Sequence, residues 1–181
     1  MKNKEKNMEN QVIKALCDRR SIRGFKDEQI KDEQLKEILK AGTYAPTGRG
    51  KQSPIIVVVQ DKETIAKISR KNAEIMGTQN DPFYGAPTVL IVLSNKNVTT
   101  HFEDGCLVMG NLMNAAYAVG VDSCWIHRAR EEFEEEFGKE LLSKWGIEGD
   151  YVGIGHVALG YRAGEYPVPA QRKPDYIYYA K

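Results

Sequence analysis

The stretch DGCLVMGNLMNAAYAV, residues 104–119, decides the fold. Its apolar side chains occupy nearly every face of a helix, which Gly120 ends, whereas a surface helix keeps them on one stripe. We therefore expect this helix either at the centre of the domain or in an oligomer interface. Because the chain has only 181 residues, the oligomer-interface interpretation is favoured more than it would be in a larger protein.

Apolar runs on both sides of this helix predict buried strands. The runs are Ile55–Val59, Thr88–Leu93 and Val152–Leu159. The uninterrupted β-branched run 55–59 is typical of a strand covered on both faces. A short fourth strand is predicted at Tyr176–Tyr179.

Further helices are predicted between the strands, at Met8–Asp18, Asp32–Ala41, Asp61–Met76 and Glu131–Trp145. Asp32 is the expected N-cap of the second and Gly42 its stop. The last is acidic, and we expect it to be a solvated surface helix. Because strands alternate with helices, the class is mixed α and β, and residues 11–181 are predicted to form one domain.

Composition excludes two classes of partner. The chain has 26 Lys and Arg against 25 Asp and Glu, so no global field attracts nucleic acid or an anionic membrane. No segment reaches the roughly 18 consecutive apolar residues of a membrane span. Residues 1–10 are polar, lack the apolar core of a secretory signal, and are expected to be a frayed leader.

The cysteines and histidines point to no metal site. Three cysteines and three histidines are widely spaced and match no metal-ligand pattern. An odd number of distant cysteines also argues against a disulfide framework. We expect reduced thiols, mostly buried, in a cytoplasmic protein.

The arginine segment, Arg19-Arg20-Ser21-Ile22-Arg23, is a candidate anion site. Three guanidiniums beside a hydroxyl suit a phosphate dianion. The alternative is that Arg19 and Arg20 lie in the last helical turn, where cations meet the negative end of the helix dipole. Ser21 and Arg23 lie beyond that turn and are less easily explained by the dipole. Both interpretations stay open on the residues alone.

The glycine loop, residues 45–52, is the second candidate. Its sequence is Ala45-Pro46-Thr47-Gly48-Arg49-Gly50-Lys51-Gln52. Its glycines would allow a flat ligand to approach closely, and its hydroxyl, amide and main-chain groups would meet the polar edge of that ligand. The alternative is an ordinary helix-to-strand connection.

Two further segments carry weaker signals. Ser123-Cys124-Trp125 could be plain core, and Cys124 has no base placed near it by the sequence, so it is not a convincing nucleophile. Arg172-Lys173 follows a proline-containing connection, and such pairs near a chain end are commonly just solvated.

Two glycine patterns are rejected. Gly153-Ile-Gly155 begins a G-x-G-x-x-A string, but it lies inside an apolar strand instead of a strand-to-helix turn. Gly48-Arg-Gly50-Lys51 lacks both the first glycine and the Ser or Thr of a phosphate-binding P-loop.

Taken in order, these segments resemble the FMN-dependent nitroreductase family over nearly the whole chain, from about Val12. The arginine segment with Gly24-Phe25 resembles the family's R-R-S-x-R-x-F motif, and the glycine loop resembles its A-P-S-G-x-N-x-Q-P motif. Ala86-Pro87-Thr88 is similar to A-P-T, and Gly120–Ile126 is similar to G-L-G-S-C-W-I. Near the end of the chain, Leu159-Gly160-Tyr161 resembles L-G-Y and Arg172-Lys173 resembles a late basic pair. Each motif is weak alone, but their common order and spacing make the joint match strong.

The resemblance implies an α+β fold with a central, mixed but mostly antiparallel sheet flanked by helices. It also implies an intertwined homodimer with two FMN sites built from both subunits, and a tail strand, 176–179, added to the partner's sheet. The residues implied to bind FMN are Arg19, Arg20, Ser21, Arg23, Arg172 and Lys173 toward the phosphate and ribityl chain, and Ala45, Pro46, Thr47, Gly48, Gly50, Gln52, Ser123, Cys124 and Trp125 toward the ring.

The implied activity is an NAD(P)H-dependent oxidoreductase that works by a ping-pong mechanism. Nicotinamide delivers hydride to the flavin and leaves, and a nitroaromatic, quinone or similar small acceptor takes its place. Because the cofactor performs the chemistry, no catalytic residue is predicted. Arg23 or Lys51 is the candidate for positive charge near the reduced ring.

The match has departures, and they keep alternatives open. Gly50 stands where the family usually has Asn, and Ser53-Pro54 replaces its Pro-hydrophobe pair. The chain is also short, without the long insertion that shapes the substrate pocket of larger members. The alternatives are a redox-silent flavin- or ligand-binding dimer and a specialised reductase of one metabolite.

Overall fold

The computed structural model describes residues 10–180. The predicted leader, apart from Asn10, lies outside the described residues. The helices and strands follow in this order: α1 (Gln11–Asp18), α2 (Asp32–Thr43), a 3-10 turn (Gly48–Gly50), β1 (Pro54–Val59), α3 (Lys62–Met76), β2 (Thr88–Asn95), α4 (His101–Ala118), β3 (Asp122–Ile126), α5 (Ala129–Glu134), α6 (Glu136–Lys144) and β4 (Tyr151–Gly160).

The four strands form one antiparallel sheet in the order β1-β2-β4-β3. An isolated parallel bridge joins Ser21 to Ser123 at the outer edge of β3. The α+β prediction is therefore confirmed.

Alternation along β2 divides the core into two halves. Val89, Ile91 and Leu93 face a cluster that includes α3, α5 and α6. Leu90 and Val92 face the opposite cluster, which is built mainly on α4 and α2. Successive strand residues point to opposite faces, so a central strand covered by helices on both sides reads as one continuous apolar run.

Helix α4 crosses the sheet and contacts all four strands. Val108, Met109, Leu112 and Ala116 are buried against the sheet. The central position is confirmed for this face only, because Leu107 stays 46% exposed within the single chain.

The predicted end of α2 at Gly42 is wrong. The helix continues to Thr43, and a Cβ on Gly42 would lie 2.6 Å from Leu112 Cδ2 on α4. The glycine therefore serves helix packing and not chain reversal. Its predicted N-cap is also displaced, because Lys31 is the N-cap and Asp32 is the first helical residue.

Three other predicted elements are corrected, and one strand was missed. Strand β1 is an edge strand covered only in part, with Val58 38% exposed. The acidic stretch 131–145 is two helices separated at Glu135, and Glu132 is fully buried. Residues 163–180 contain no helix or strand, so no strand forms at 176–179 within this chain. Strand β3 was not predicted. Among the described residues, no helix is long and apolar enough to cross a membrane.

Candidate functional site

The arginine segment lies along the outer edge of β3. The backbone N–H of Ile22 donates to the Ser123 carbonyl at 3.0 Å, and that of Phe25 donates to the Tyr84 carbonyl at 3.1 Å. This pairing covers an otherwise open sheet edge. It also places Arg19, Arg20 and Ser21 beside Ser123 and Cys124, which are about 100 positions away in the sequence.

Three buried polar atoms at this edge have no hydrogen-bond partner among the described residues. They are Arg19 Nη1, Arg20 Nε and Ser123 Oγ. Trp125 Nε1 is also unpaired there, but it lies against Gly155 of β4. A buried donor left unpaired costs about 1–3 kcal/mol, so native proteins seldom keep several together without a ligand. The three atoms at the edge are therefore well suited to a ligand rich in hydrogen-bond acceptors, such as a phosphate with an attached polyol.

The helix-dipole interpretation is wrong about position, because α1 ends at Asp18 with Arg19 as its C-cap and neither arginine lies in the last turn. Arg20 caps the helix end from beyond it instead. Its Nη1 donates to the Cys17 carbonyl at 2.7 Å and to the Arg19 carbonyl at 2.8 Å. It thus satisfies carbonyls at the end of α1. Its Nε has no partner among the described residues, so capping the helix and binding an anion are compatible roles for Arg20.

The arginine segment affects the pKa of the Cys124 thiol. Burial raises the pKa of this thiol, and Arg23, Ser21 and Arg19 partly offset that effect. The thiol is buried and mostly protonated near neutral pH, which makes it a poor nucleophile. The expectation that the cysteines are mostly buried holds for Cys124 alone, since Cys106 is half-buried and Cys17 exposed.

Tyr166 ties the segment to the C-terminal part of the chain, a link that the sequence did not reveal. Its hydroxyl accepts from the Arg20 N–H at 2.9 Å and donates to the Asp18 carbonyl at 2.8 Å. Its ring lies 6.3 Å from that of Tyr117, near the end of α4.

The glycine loop lies at the other end of α4. The buried Asp104 accepts from the Gly48 N–H at 2.8 Å, from Ser53 Oγ at 3.1 Å and from Thr100 Oγ1 at 3.1 Å. The loop itself is unusual, because Arg49, Gly50 and Gln52 all have positive φ. In this loop Ala45 is buried, whereas Pro46, Gly50 and Gln52 are exposed.

A single chain does not bring the two predicted halves of the site together. Asp104 marks the glycine loop and Tyr117 marks the arginine segment, and α4 spans about 20 Å between them. The halves also lie at opposite edges of the sheet, beside β1 and β3, which are about 14 Å apart across three strand spacings.

Arg172 and Lys173 stay apart from both halves. Arg172 Nε and Nη2 donate to the Ala170 carbonyl, and Lys173 Nζ lies 5.4 Å from the Tyr176 ring centroid. Both side chains are exposed. Their predicted return to the phosphate does not occur within the described chain.

Strand β3 leads from the arginine segment into a cavity of about 260 Å³. Six of its lining residues are Met76, Thr78, Tyr84, Trp125, His127 and Arg128. The Trp125 and His127 rings lie 5.9 Å apart. Phe83 does not line this cavity, because it is fully buried with its ring 5.3 Å from that of His156.

A buried polar cluster behind this cavity was missed at the sequence level. Glu132 Oε2 lies 2.8 Å from His156 Nε2, and both side chains are fully buried. Asn72 Nδ2 donates to Glu132 Oε1 and to the His127 carbonyl. One signal could have found it: Ala129, Glu132 and Phe133 share the i, i+3, i+4 spacing of an inward helix face.

The fold is α+β, with an antiparallel sheet and a central helix, and one edge of the sheet carries unpaired donors that suit a ligand. Comparison with known proteins finds relatives that match this chain. The nitroreductase family model matches residues 16–82. A candidate NADH dehydrogenase/NAD(P)H nitroreductase of Archaeoglobus fulgidus is 28% identical over 179 residues, 94% of this chain and 98% of that protein.

Solved structures of similar fold match nearly the whole chain. An FMN-dependent nitroreductase from Clostridium difficile R20291 is 28% identical with a TM-score of 0.78, covering 95% of this chain and 98% of its own. A nitroreductase with bound FMN from Bacteroides fragilis has a TM-score of 0.87 at 24% identity, covering 95% and 100%. The chain is thus similar to nitroreductases over nearly its whole length, and the nitroreductase family model matches its N-terminal part.

Proposed function

We propose that this protein is an FMN-dependent NAD(P)H oxidoreductase. It passes hydride from a nicotinamide through the flavin to a nitroaromatic, quinone or similar small acceptor by a ping-pong mechanism. The observation that carries the proposal is the set of unpaired buried donors beside the arginine segment. The names of its relatives, which specify NAD(P)H and FMN, support it.

In this proposal the arginine segment and β3 hold the flavin. Arg19 Nη1 and Arg20 Nε would donate to the phosphate, where charge-assisted bonds from guanidinium are strong. Ser123 Oγ would donate to the remaining polar atoms of the cofactor. Bound FMN supplies the hydride chemistry, and the protein supplies binding, orientation and electrostatics, so no residue is assigned a catalytic role.

The glycine loop would be contributed by a second copy of the chain. Within one chain the loop lies about 20 Å from the arginine segment, which is the length of α4 between Asp104 and Tyr117. A two-fold dimer can bring the loop of one protomer to the segment of the other, because such an interface pairs different patches reciprocally.

Exposed apolar side chains indicate where the second copy would pack. Helix α1 has no buried residue, and its Val12, Ile13 and Leu16 are more than half exposed. Helix α4 adds Phe102 and Leu107, and the tail adds Tyr176 to Tyr179. Apolar surface of this extent marks an interaction site, and its position on α1, α4 and the tail favours a homodimer.

The first test measures flavin content and reduction of the purified protein. We expect yellow protein that bleaches with NADH or NADPH under anaerobic conditions. We also expect Arg19→Ala to purify with little FMN, because it removes a buried phosphate donor. Arg130→Ala is the matched control, since Arg130 is exposed and its ion-pair partner among residues 10–180 is Glu134.

Two outcomes would contradict the proposal. Full FMN occupancy in Arg19→Ala protein would remove the assignment of the phosphate site. Yellow protein that neither nicotinamide reduces would instead favour the redox-silent binding dimer.

A further inference from the structure

The cavity at the end of β3 has aromatic walls and one cation. Trp125, Tyr84 and His127 contribute the rings, and Arg128 contributes the guanidinium. Aromatic walls with a few placed polar groups are the usual composition of a small-molecule pocket. The volume, about 260 Å³, is enough for one substituted aromatic ring.

Arg128 has a backbone conformation that a non-glycine residue seldom adopts. Its φ is 77° and its ψ is 5°, in the left-handed region. This conformation costs on the order of 1–2 kcal/mol for a residue with a Cβ, and it persists only where the surroundings fix it. Such strain concentrates at sites that bind ligands.

The surroundings that fix Arg128 are the buried polar cluster. Asn72 Oδ1 accepts from Arg128 Nε at 3.1 Å, and Asn72 Nδ2 donates to Glu132 Oε1 at 2.5 Å and to the His127 carbonyl at 2.8 Å. His156 in turn lies against Glu132. The guanidinium is therefore oriented by a chain of buried contacts and not by a surface ion pair.

Part of the guanidinium remains available to a ligand. Arg128 Nη2 reaches Met76 Sδ at 3.0 Å, a weak acceptor, and none of the hydrogen bonds among the described residues uses Nη1. No carboxylate of the described chain lies within salt-bridge distance of Arg128. Asp81, the acidic residue that lines the cavity, already accepts from Ser69 Oγ, Phe83 N and Gly85 N.

We propose that Arg128 selects planar aromatic acceptors that carry a carboxylate. The acceptor ring would lie among Trp125, Tyr84 and His127, and its carboxylate would accept from Arg128 Nη1 and Nη2. A guanidinium suits this role because its fork matches the two oxygens of a carboxylate. The assignment rests on the proposed oxidoreductase function and specifies its substrate class.

The experiment compares two acceptors of similar shape, 4-nitrobenzoate and the neutral 4-nitrobenzamide. We expect wild-type protein to have the lower KM for 4-nitrobenzoate. Arg128→Gln should raise that KM about tenfold while changing the KM for 4-nitrobenzamide less than about twofold, because only the charged pair is lost. The kcat for each acceptor should stay close to the wild-type value.

Two further variants test the assignment to Arg128. Arg128→Lys should recover part of the preference, because it keeps the charge but lacks the fork. Arg130→Gln, two residues further along in the first turn of α5, should leave both KM values unchanged. Titration calorimetry of oxidised protein with 4-nitrobenzoate and no nicotinamide should show the same weakening of Kd in Arg128→Gln.

Equal effects of Arg128→Gln on the two acceptors, or no effect on either, would overturn the assignment. A rise in the KM for NADH or NADPH alone would also overturn it, since Arg128 would then bind an anionic group of the nicotinamide donor and not the carboxylate of the acceptor. If neither NADH nor NADPH reduces the flavin of wild-type protein, the proposed function fails separately, and the calorimetric comparison still decides whether the cavity binds a carboxylate through Arg128.

Discussion

The Glu132 carboxylate is fully buried, and its two oxygens face Asn72 Nδ2 and His156 Nε2. Removing the buried Glu132 side chain leaves hydrogen-bonding groups of its partners unsatisfied in a low-dielectric interior, which costs about 1–3 kcal/mol for each such group. We therefore expect Glu132→Leu to lower the free energy of unfolding by roughly that amount for each partner left unsatisfied. Urea titration of FMN-saturated protein measures it.

Glu134→Gln is the matched control for Glu132→Leu. Glu134 lies two positions away in the same helix, but it is exposed and its partner Arg130 is exposed too. Its replacement should change stability by less than about 1 kcal/mol, as for other surface pairs. Equal losses of stability in the two variants would show that the buried cluster contributes no more to the free energy of unfolding than a surface pair.

Single residues mark the limit of what the sequence could predict. The arginine segment and Ser123 were each identified as candidates, but nothing in their local pattern shows that an isolated bridge joins them. Glu132 was assigned to solvent because an acidic run is usually wet, and tertiary pairing with His156 overrode that expectation. A contact between positions distant in sequence leaves no local signal.

At the scale of elements, β4 depends on close contact with the start of α5. A Cβ on Gly153 would lie 2.0 Å from the Ala129 carbonyl oxygen, which is backbone and cannot rotate away. We expect Gly153→Ala to lower the free energy of unfolding by about 3 kcal/mol, because the two elements must separate. Gly164→Ala is the control, since no atom lies within 4 Å of its Cβ position.

Thermal and urea unfolding of the two glycine variants provide the test. A Gly153→Ala protein as stable as Gly164→Ala would mean that α5 shifts away from β4 without cost. It would then also weaken the case that α5 holds Glu132 and Arg128 in place.

The strands were predicted best where both faces are covered. β2 and β4 appear as continuous apolar runs because helices lie on each side. The run in β1 has the same composition but forms an edge strand, since composition does not reveal position in a sheet. Gly42 shows a similar limit, because a helix stop and a packing glycine look alike in sequence.

Apart from Arg172 and Lys173, the predicted site residues of the molecule form two groups at opposite ends of α4. The sequence identified both groups through their resemblance to a family, but no local pattern shows how far apart one chain holds them. Their separation is explained if each site uses the arginine segment of one protomer and the glycine loop of its partner. A complete FMN site would then exist only in the dimer.

A hybrid dimer tests this claim most directly. One protomer carries Arg19→Ala and the other carries Gly50→Leu. The leucine strains a position whose φ is 64° and projects where no atom of the described residues lies within 4 Å of the added Cβ. Two different tags allow the co-expressed hybrid to be purified. The control hybrid pairs a wild-type protomer with one that carries both substitutions. FMN bound per dimer is measured for each.

If each site is shared between protomers, the first hybrid keeps one intact site and binds about half the wild-type FMN, while the control hybrid binds almost none. If each site lies within one protomer, the result reverses: the first hybrid is nearly flavin-free and the control binds about half. The reversed result would contradict the account.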